Sequence, residues 1–132
     1  MASAKPGYTR PTILECPEDG VPSFSVAQGR HPCIESNLEA DFIPNDLALG
    51  TDSDPSRVLL LSGPNMGGKS TLLRQTCMIA ILAQIGCFVP AEDCRLTPID
   101  RIFTRLGATD KILLGQSTFF VEVSHVLSLQ FP

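Results

Sequence analysis

The residues best placed to do chemistry lie together in SGPNMGGKST, at positions 62–71. Gly63, Gly67 and Gly68 precede Lys69, Ser70 and Thr71, and the spacing fits G-x-x-x-x-G-K-[ST]. Each part has a mechanical reason. Glycines let successive backbone N–H groups turn toward phosphate oxygens, and a helix starting here presents its positive end to the same anion. Lys69 would reach the β- and γ-phosphates of a nucleotide, Ser70 would place its hydroxyl on Mg²⁺, and Thr71 would help hold the α-phosphate. Pro64 fixes the backbone early in the loop. Asn65 offers an amide near the γ-phosphate or its attacking water, and Met66 completes the loop.

A pattern with so few fixed positions can arise in any glycine-rich turn, so the flanking elements decide its meaning. RVLLLS, at 57–62, is a continuous β-favouring apolar run of the kind expected for a parallel strand buried on both faces. The loop follows at once. STLLRQTCMIAILAQIG then has helical length, with no Gly or Pro before Gly86 supplies a stop. Residues 77–83 are apolar nearly all round, which predicts a helix buried between layers of a larger domain. Strand, loop and helix together are the context that phosphate binding needs.

Hydrolysis asks for more: a carboxylate at the end of a neighbouring strand to hold Mg²⁺, and a group that orients water. Asp100 and Asp110 lack an apolar run before them, and Glu122 falls in a segment that reads as helix. The sequence therefore predicts a phosphate cradle without a complete catalytic set.

The remaining chain supports this core. Residues 1–22 are rich in Pro, Gly and charge, with RPTILECP as a short extended segment, and are expected to form an entry arm or linker. SFSVAQGRHPCIES alternates Phe24, Val26 and Gly29 in a strand-like way before a turn at Arg30, His31 and Pro32. DFIPNDLALG is a further extended piece, and TDSDPSR is a surface turn. After Gly86, short strands are expected between turns at Pro90 and Pro98. STFFVEVSHVLSLQ reads as a helix with Ser117 as its N-cap.

Composition sets outer limits. The 132 residues suit one domain, and 43% hydrophobic with 18% charged residues is the composition of a folded chain. Residues 1–56 carry three basic and nine acidic side chains, a balance of −6, whereas 57–132 carry seven and five, a balance of +2. Phosphate chemistry thus belongs to the second part, and no broad basic face for DNA is visible. Five cysteines without a C-x-x-C pair make a poor disulfide framework and predict reduced thiols. Two histidines and scattered cysteines do not make a metal site. No apolar run approaches a bilayer span and no export signal is apparent, so no membrane association is expected.

GPNMGGKST, then PAEDCRLTPIDRIFTRLGATD, then STFFVEVS resemble, in that order, the ATPase domain of the MutS family of DNA mismatch-repair proteins. The resemblance covers nearly all of residues 8–124. RPTILECPEDGVPSF before RHPCI is most similar to the sixth eukaryotic type of MutS homologue, the mismatch-sensing subunit of a nuclear heterodimer. The fold this implies is α/β: a P-loop NTPase-type parallel sheet with flanking helices, truncated, preceded by a small strand-and-loop region. Residues 23–132 would be a partial ATPase domain of MutS type, following the arm at 1–22.

Implied with it are ATP and Mg²⁺ as cofactors, a second MutS-type subunit, mismatched DNA held through domains absent from this chain, and a nuclear location. Phe42 and Ile43 match residues that pack against adenine in the family, although from residue type alone the pair reads as core. Ser117 matches a signature-loop serine that reaches the γ-phosphate of the partner's ATP. Beyond Ser124 the likeness stops, at HVLSLQFP, where the family continues toward a strand ending in an Asp-Glu pair.

The expected function is the ATP-binding part of an ATPase that couples ATP binding and hydrolysis to mismatched-DNA recognition. The alternative is a truncated, non-catalytic product that acts by binding a partner subunit. A third reading, another P-loop enzyme such as a transporter ATPase or a small-molecule kinase, does not account for the blocks after the helix.

Overall fold

The computed structural model describes residues 7–18, 20–37, 41–64 and 67–104. The chain divides into two compact units, Met1–Ile102 and Phe103–Pro132, and the described secondary structure lies in the first.

Four short strands form one sheet: β1 (Thr12–Ile13), β2 (Phe24–Gly29), β3 (Asn45–Leu49) and β4 (Asp93–Leu96), in the spatial order β1-β4-β2-β3. β2 runs antiparallel to both β3 and β4, while β1 pairs parallel to β4. Two helices complete the unit, α1 (Pro32–Glu35) and α2 (Lys69–Gln84).

Alternation in β2 and β4 points Phe24, Val26, Cys94 and Leu96 to one face, where Ile79, Ala80 and Ala83 of α2 join them in the core. Full burial of each large aliphatic side chain contributes about 1.5–3 kcal/mol. The step from Val26 to Gly29 skips two residues rather than one. It marks a bulge, where the register shifts and Gln28 takes a φ of 50° with its backbone N–H and side-chain amide both donating to Asp46 Oδ1. At the far end, Thr97 closes β4 against β2: its N–H donates to the Ser23 carbonyl at 2.9 Å, and its Oγ1 accepts from the Ser23 N–H at 3.1 Å.

Helix α2 stops where the sequence predicts. Gly86 is left-handed, its N–H donates to Ala83 O, and Cys87 N–H reaches back to Leu82 O, the two bonds of a Schellman turn. The surface turn also forms, through Thr51 N–H to Asp54 O and Gly50 N–H to Ser56 O, each 2.8 Å.

The expected parallel strand at 57–62 does not form. This segment takes no regular secondary structure and joins no ladder, and Val58 and Leu60 are 74% and 92% exposed. A strand buried on both faces requires neighbouring strands to cover its backbone and side chains; among the described residues none lies beside it. The sheet is consequently mixed rather than parallel. Three of its four strands come from the part preceding residue 57, which the sequence assigned to strands and loops. The apolar girdle of α2 is likewise only half covered, with Ile79 buried but Leu73 and Ile81 exposed.

All five cysteines are free. Burial, reinforced by the Asp93 carboxylate, pushes the Cys94 thiol from 9.0 up to about 11. Cys94 is expected to resist iodoacetamide at pH 8 in the folded chain while the exposed Cys16 and Cys33 react. Peptide mass mapping checks this, and labelling of Cys94 as fast as Cys16 would contradict it. Because its folded pKa is the higher one, the stability contributed by the neutral thiol is fully present below pH 9.0 and is lost as pH rises through about 11.

Candidate functional site

The loop between residue 62 and α2 is organised by its own backbone. Gly67 N–H donates to the Pro64 carbonyl at 3.1 Å, closing a turn, and Lys69 Nζ donates to the carbonyls of Gly63 and Pro64 at 2.6 and 2.5 Å. An ammonium has three donors. Two are held by the loop, and the third is left for a further acceptor.

Gly68 is the N-cap of α2, with φ 85° and ψ 1°, a left-handed geometry that other residues adopt at a cost. No side chain caps this end and the first turn carries no acidic residue. The first-turn N–H groups of a helix have no partner within it, and the helix dipole places partial positive charge there. Backbone amides, helix end and Lys69 ammonium therefore present positive charge from one loop, and Asp41 is the one carboxylate on the lining of the cavity beside it.

Beside this loop lies a cavity of about 530 Å³. Gly67, Gly68, Lys69 and Thr71 line one part of it, while Ile34, Phe42, Ile43, Leu61 and Leu72 supply apolar walls. A volume of this order suits a small organic ligand, and walls of this composition with a few convergent polar groups are typical of such sites.

Local structure sets those walls. Asn45, at the start of β3, donates from Nδ2 to the Ile43 carbonyl at 3.2 Å. Ile34 is carried on α1, whose N-cap is the buried His31: its Nδ1 accepts from Ile34 N–H at 3.3 Å. Arg30 pairs with Glu35 at 2.8 Å and also donates to the Gly7 carbonyl, clamping α1 to the start of the chain.

A cavity of similar size, about 540 Å³, opens against Ser25, Asp93 and Arg95, on the sheet face opposite the core. Its lining sets three carboxylates, Glu15, Asp52 and Asp93, against the one cation Arg95, whereas the loop cavity sets Asp41 alone against Lys69 and the loop amides, so the chemistry favours the cavity at the loop for phosphate.

Of the residues singled out in the sequence, the structure brings Phe42, Ile43, Gly67, Gly68, Lys69 and Thr71 together around one cavity. Gly63 and Pro64 hold Lys69, and Ser70 is exposed in the first turn of α2. Phe42 is half-buried and Ile43 is 82% exposed, so the pair is not core. Asn65, Met66 and Ser117 lie outside the described residues. Ile34, Leu61 and Leu72 were not recognised as walls from sequence. The signal available was that RHPCI, at 30–34, precedes the loop and that apolar runs flank it. Asp100 is exposed and faces Arg101 at 3.6 Å, a solvated surface pair. Among the described residues no group of three His, Cys, Asp or Glu could hold a metal, and no helix is long and apolar enough to cross a membrane.

The model of MutS domain V matches residues 59–130. Over 126 residues the chain is 53% identical to DNA mismatch repair protein Msh6 of Homo sapiens and to that of Gallus gallus, alignments that cover 91% of this chain and 9% of each relative. It is 51% identical over 124 residues to DNA mismatch repair protein msh3 of Botryotinia fuckeliana, covering 94% of this chain and 10% of the relative. The chain thus spans about a tenth of the length of the curated relatives it matches. It belongs to the MutS family, as part of a mismatch-repair ATPase domain of the Msh6 and Msh3 kind.

Proposed function

We propose that this chain is the nucleotide-binding part of a MutS-type ATPase that couples ATP binding and hydrolysis to recognition of mismatched DNA. The observation that carries the reading is the shared cavity of about 530 Å³, with a phosphate-type loop at one part and Phe42 and Ile43 at another. Residues 63–71 would cradle the triphosphate, with Lys69 on the β- and γ-phosphates, Thr71 near the α-phosphate and Asn65 near the γ-phosphate. Phe42 and Ile43 would pack on the adenine.

Ser70 would supply a hydroxyl to Mg²⁺. A magnesium ion that keeps several waters and binds phosphate oxygens needs few protein ligands, so the lack of an acidic cage among the described residues is compatible with this role. Mg²⁺ would neutralise charge on the phosphates. In the whole protein, DNA would be contacted through other domains, a second MutS-type subunit would complete the composite site, and Ser117 would reach the partner's γ-phosphate. The similarity to Msh6 supports assembly as a heterodimer and a nuclear location.

The test is a titration of the chain with Mg-ATP and with Mg-tripolyphosphate. Phe42→Ala is expected to weaken ATP roughly tenfold, as loss of base stacking does, while leaving tripolyphosphate within about twofold. Equal affinity for ATP in both proteins would refute the adenine assignment.

A second reading is favoured by the exposure of Val58 and Leu60. In it the chain is a non-catalytic fragment that acts only by binding a partner subunit. Hydrogen exchange separates the two: a chain whose β2, β4 and α2 amides show no protection has no autonomous nucleotide-binding unit.

A further inference from the structure

Gln75 is the most deeply buried polar side chain on α2, at 2% exposure, and lies on the helix that begins with Lys69. Its Oε1 is buried without a hydrogen-bond partner among the described residues. An unpartnered buried carbonyl adds nothing to local stability. What Gln75 contributes is therefore its length and where that length ends.

It ends against Gly29. A Cβ at Gly29 would stand 2.7 Å from Gln75 Nε2, 2.7 Å from Val26 Cγ1 and 3.2 Å from the Asn45 carbonyl oxygen, so the bulged strand end of β2 has room for this amide only because residue 29 has no side chain. Gly29 is paired with Asn45 in the sheet. Asn45 in turn donates to the Ile43 carbonyl and itself lines the cavity at the loop. A continuous set of contacts thus runs from α2 through Gln75, Gly29 and Asn45 to the wall formed by Phe42 and Ile43.

We propose that Gln75 is a positioning residue of the nucleotide site: its side chain, wedged against Gly29, sets the spacing between the phosphate-binding end of α2 and the wall carrying Phe42 and Ile43. This rests on the nucleotide reading given above. It deepens that reading by naming a residue that touches no ligand and still governs the fit of base and phosphates together. Phosphate groups alone need only the loop and the helix end. A ligand that spans both parts of the cavity needs the spacing as well, and small misplacements in a preorganised site have large effects on what it holds.

The experiment measures affinities of the full 132-residue chain for Mg-ATP and Mg-tripolyphosphate in four proteins: unaltered, Gln75→Ala, Gly29→Ala and Gln75→Met. Gln75→Ala removes the wedge, Gly29→Ala presses on it and on Val26 and the Asn45 carbonyl as well, and Gln75→Met keeps its length without the amide. The first two are expected to weaken ATP roughly tenfold while tripolyphosphate stays within about twofold, and Gln75→Met to keep the ATP preference. Parallel loss of both ligands in Gln75→Ala, or an unchanged ATP preference, would overturn the proposal by showing a structural role or none. If the unaltered chain bound tripolyphosphate but showed no preference for ATP, the base-pocket reading would fall and this inference with it. If the unaltered chain prefers ATP and the variants do too, this inference falls alone.

Discussion

Lys69→Ala is expected to weaken Mg-ATP binding by about a hundredfold or more. Hydrogen bonds from an ionised donor are worth about 1.5–3 kcal/mol each. The free third donor makes one of them and a second replaces a loop carbonyl, and about 3 kcal/mol corresponds to two orders of magnitude in affinity. Lys69 already has its ammonium fixed within the loop by the carbonyls of Gly63 and Pro64, so little side-chain freedom remains to be lost when a ligand arrives. Lys69→Arg should not rescue binding, because a planar guanidinium cannot occupy the place of a compact ammonium between two carbonyls. Arg74, exposed further along the same helix, provides the control: Arg74→Ala should leave affinity within about twofold if net charge is not the cause. Isothermal titration reads all three, and undiminished ATP affinity in Lys69→Ala would refute the phosphate assignment of the loop.

The largest effect on stability is expected at Gly50. It ends β3 with a φ of 62°, its N–H bonds to Ser56 O, and a Cβ there would stand 2.1 Å from the Pro22 carbonyl oxygen. Alanine at this position would meet a left-handed backbone penalty of about 1–2 kcal/mol. It would also force apart two stretches of main chain that frame the start of β2, and overpacking of this kind adds about 1–3 kcal/mol. A loss of about 3 kcal/mol would lower the melting temperature by on the order of 10 °C. Gly86→Ala separates the two contributions. Gly86 has a φ of 81°, but a Cβ at this position would meet no atom within 4 Å, so its cost should be about 1 kcal/mol. Thermal unfolding followed by circular dichroism distinguishes them; equal shifts would show that the contact with Pro22 is harmless.

The parts of the fold legible in the sequence are those decided locally. The left-handed Gly68, the run from Lys69 to Gln84 and the stop at Gly86 depend on neighbours a few residues apart, and local patterning specifies them. The alternation of Phe24 and Val26 was also readable, and the odd step to Gly29 was the imprint of a bulge. Residues 57–62 differ because their apolar pattern states a demand, burial on both faces, that only partners distant in sequence can meet. The same pattern is present in the sequence whether or not those partners are beside it.

The candidate site divides in the same way. The phosphate loop announced itself through glycines and one lysine, because backbone geometry and charge are written in residue type. Phe42 and Ile43 did not, since an aromatic and an aliphatic residue side by side look like core until Ile43 is found exposed beside the loop. Ile34 was harder still, as its place depends on His31 capping a four-residue helix and on Arg30 tying that helix, through Glu35, to Gly7. Nothing in the spacing of RHPCI specifies those tertiary contacts.

The hold of Gly63 and Pro64 on Lys69 makes ligand capture at two of its three donors an exchange rather than an addition. A lone halide or a monocarboxylate reaches only the third donor unless it displaces a carbonyl, and it offers little in return for that exchange. A polyphosphate presents several strong acceptors at fixed intervals and can take over both positions at once. The loop's own oxygens thereby act as competitors that weak anions fail to displace, and discrimination in favour of polyphosphates begins with the protein's backbone before any base is recognised.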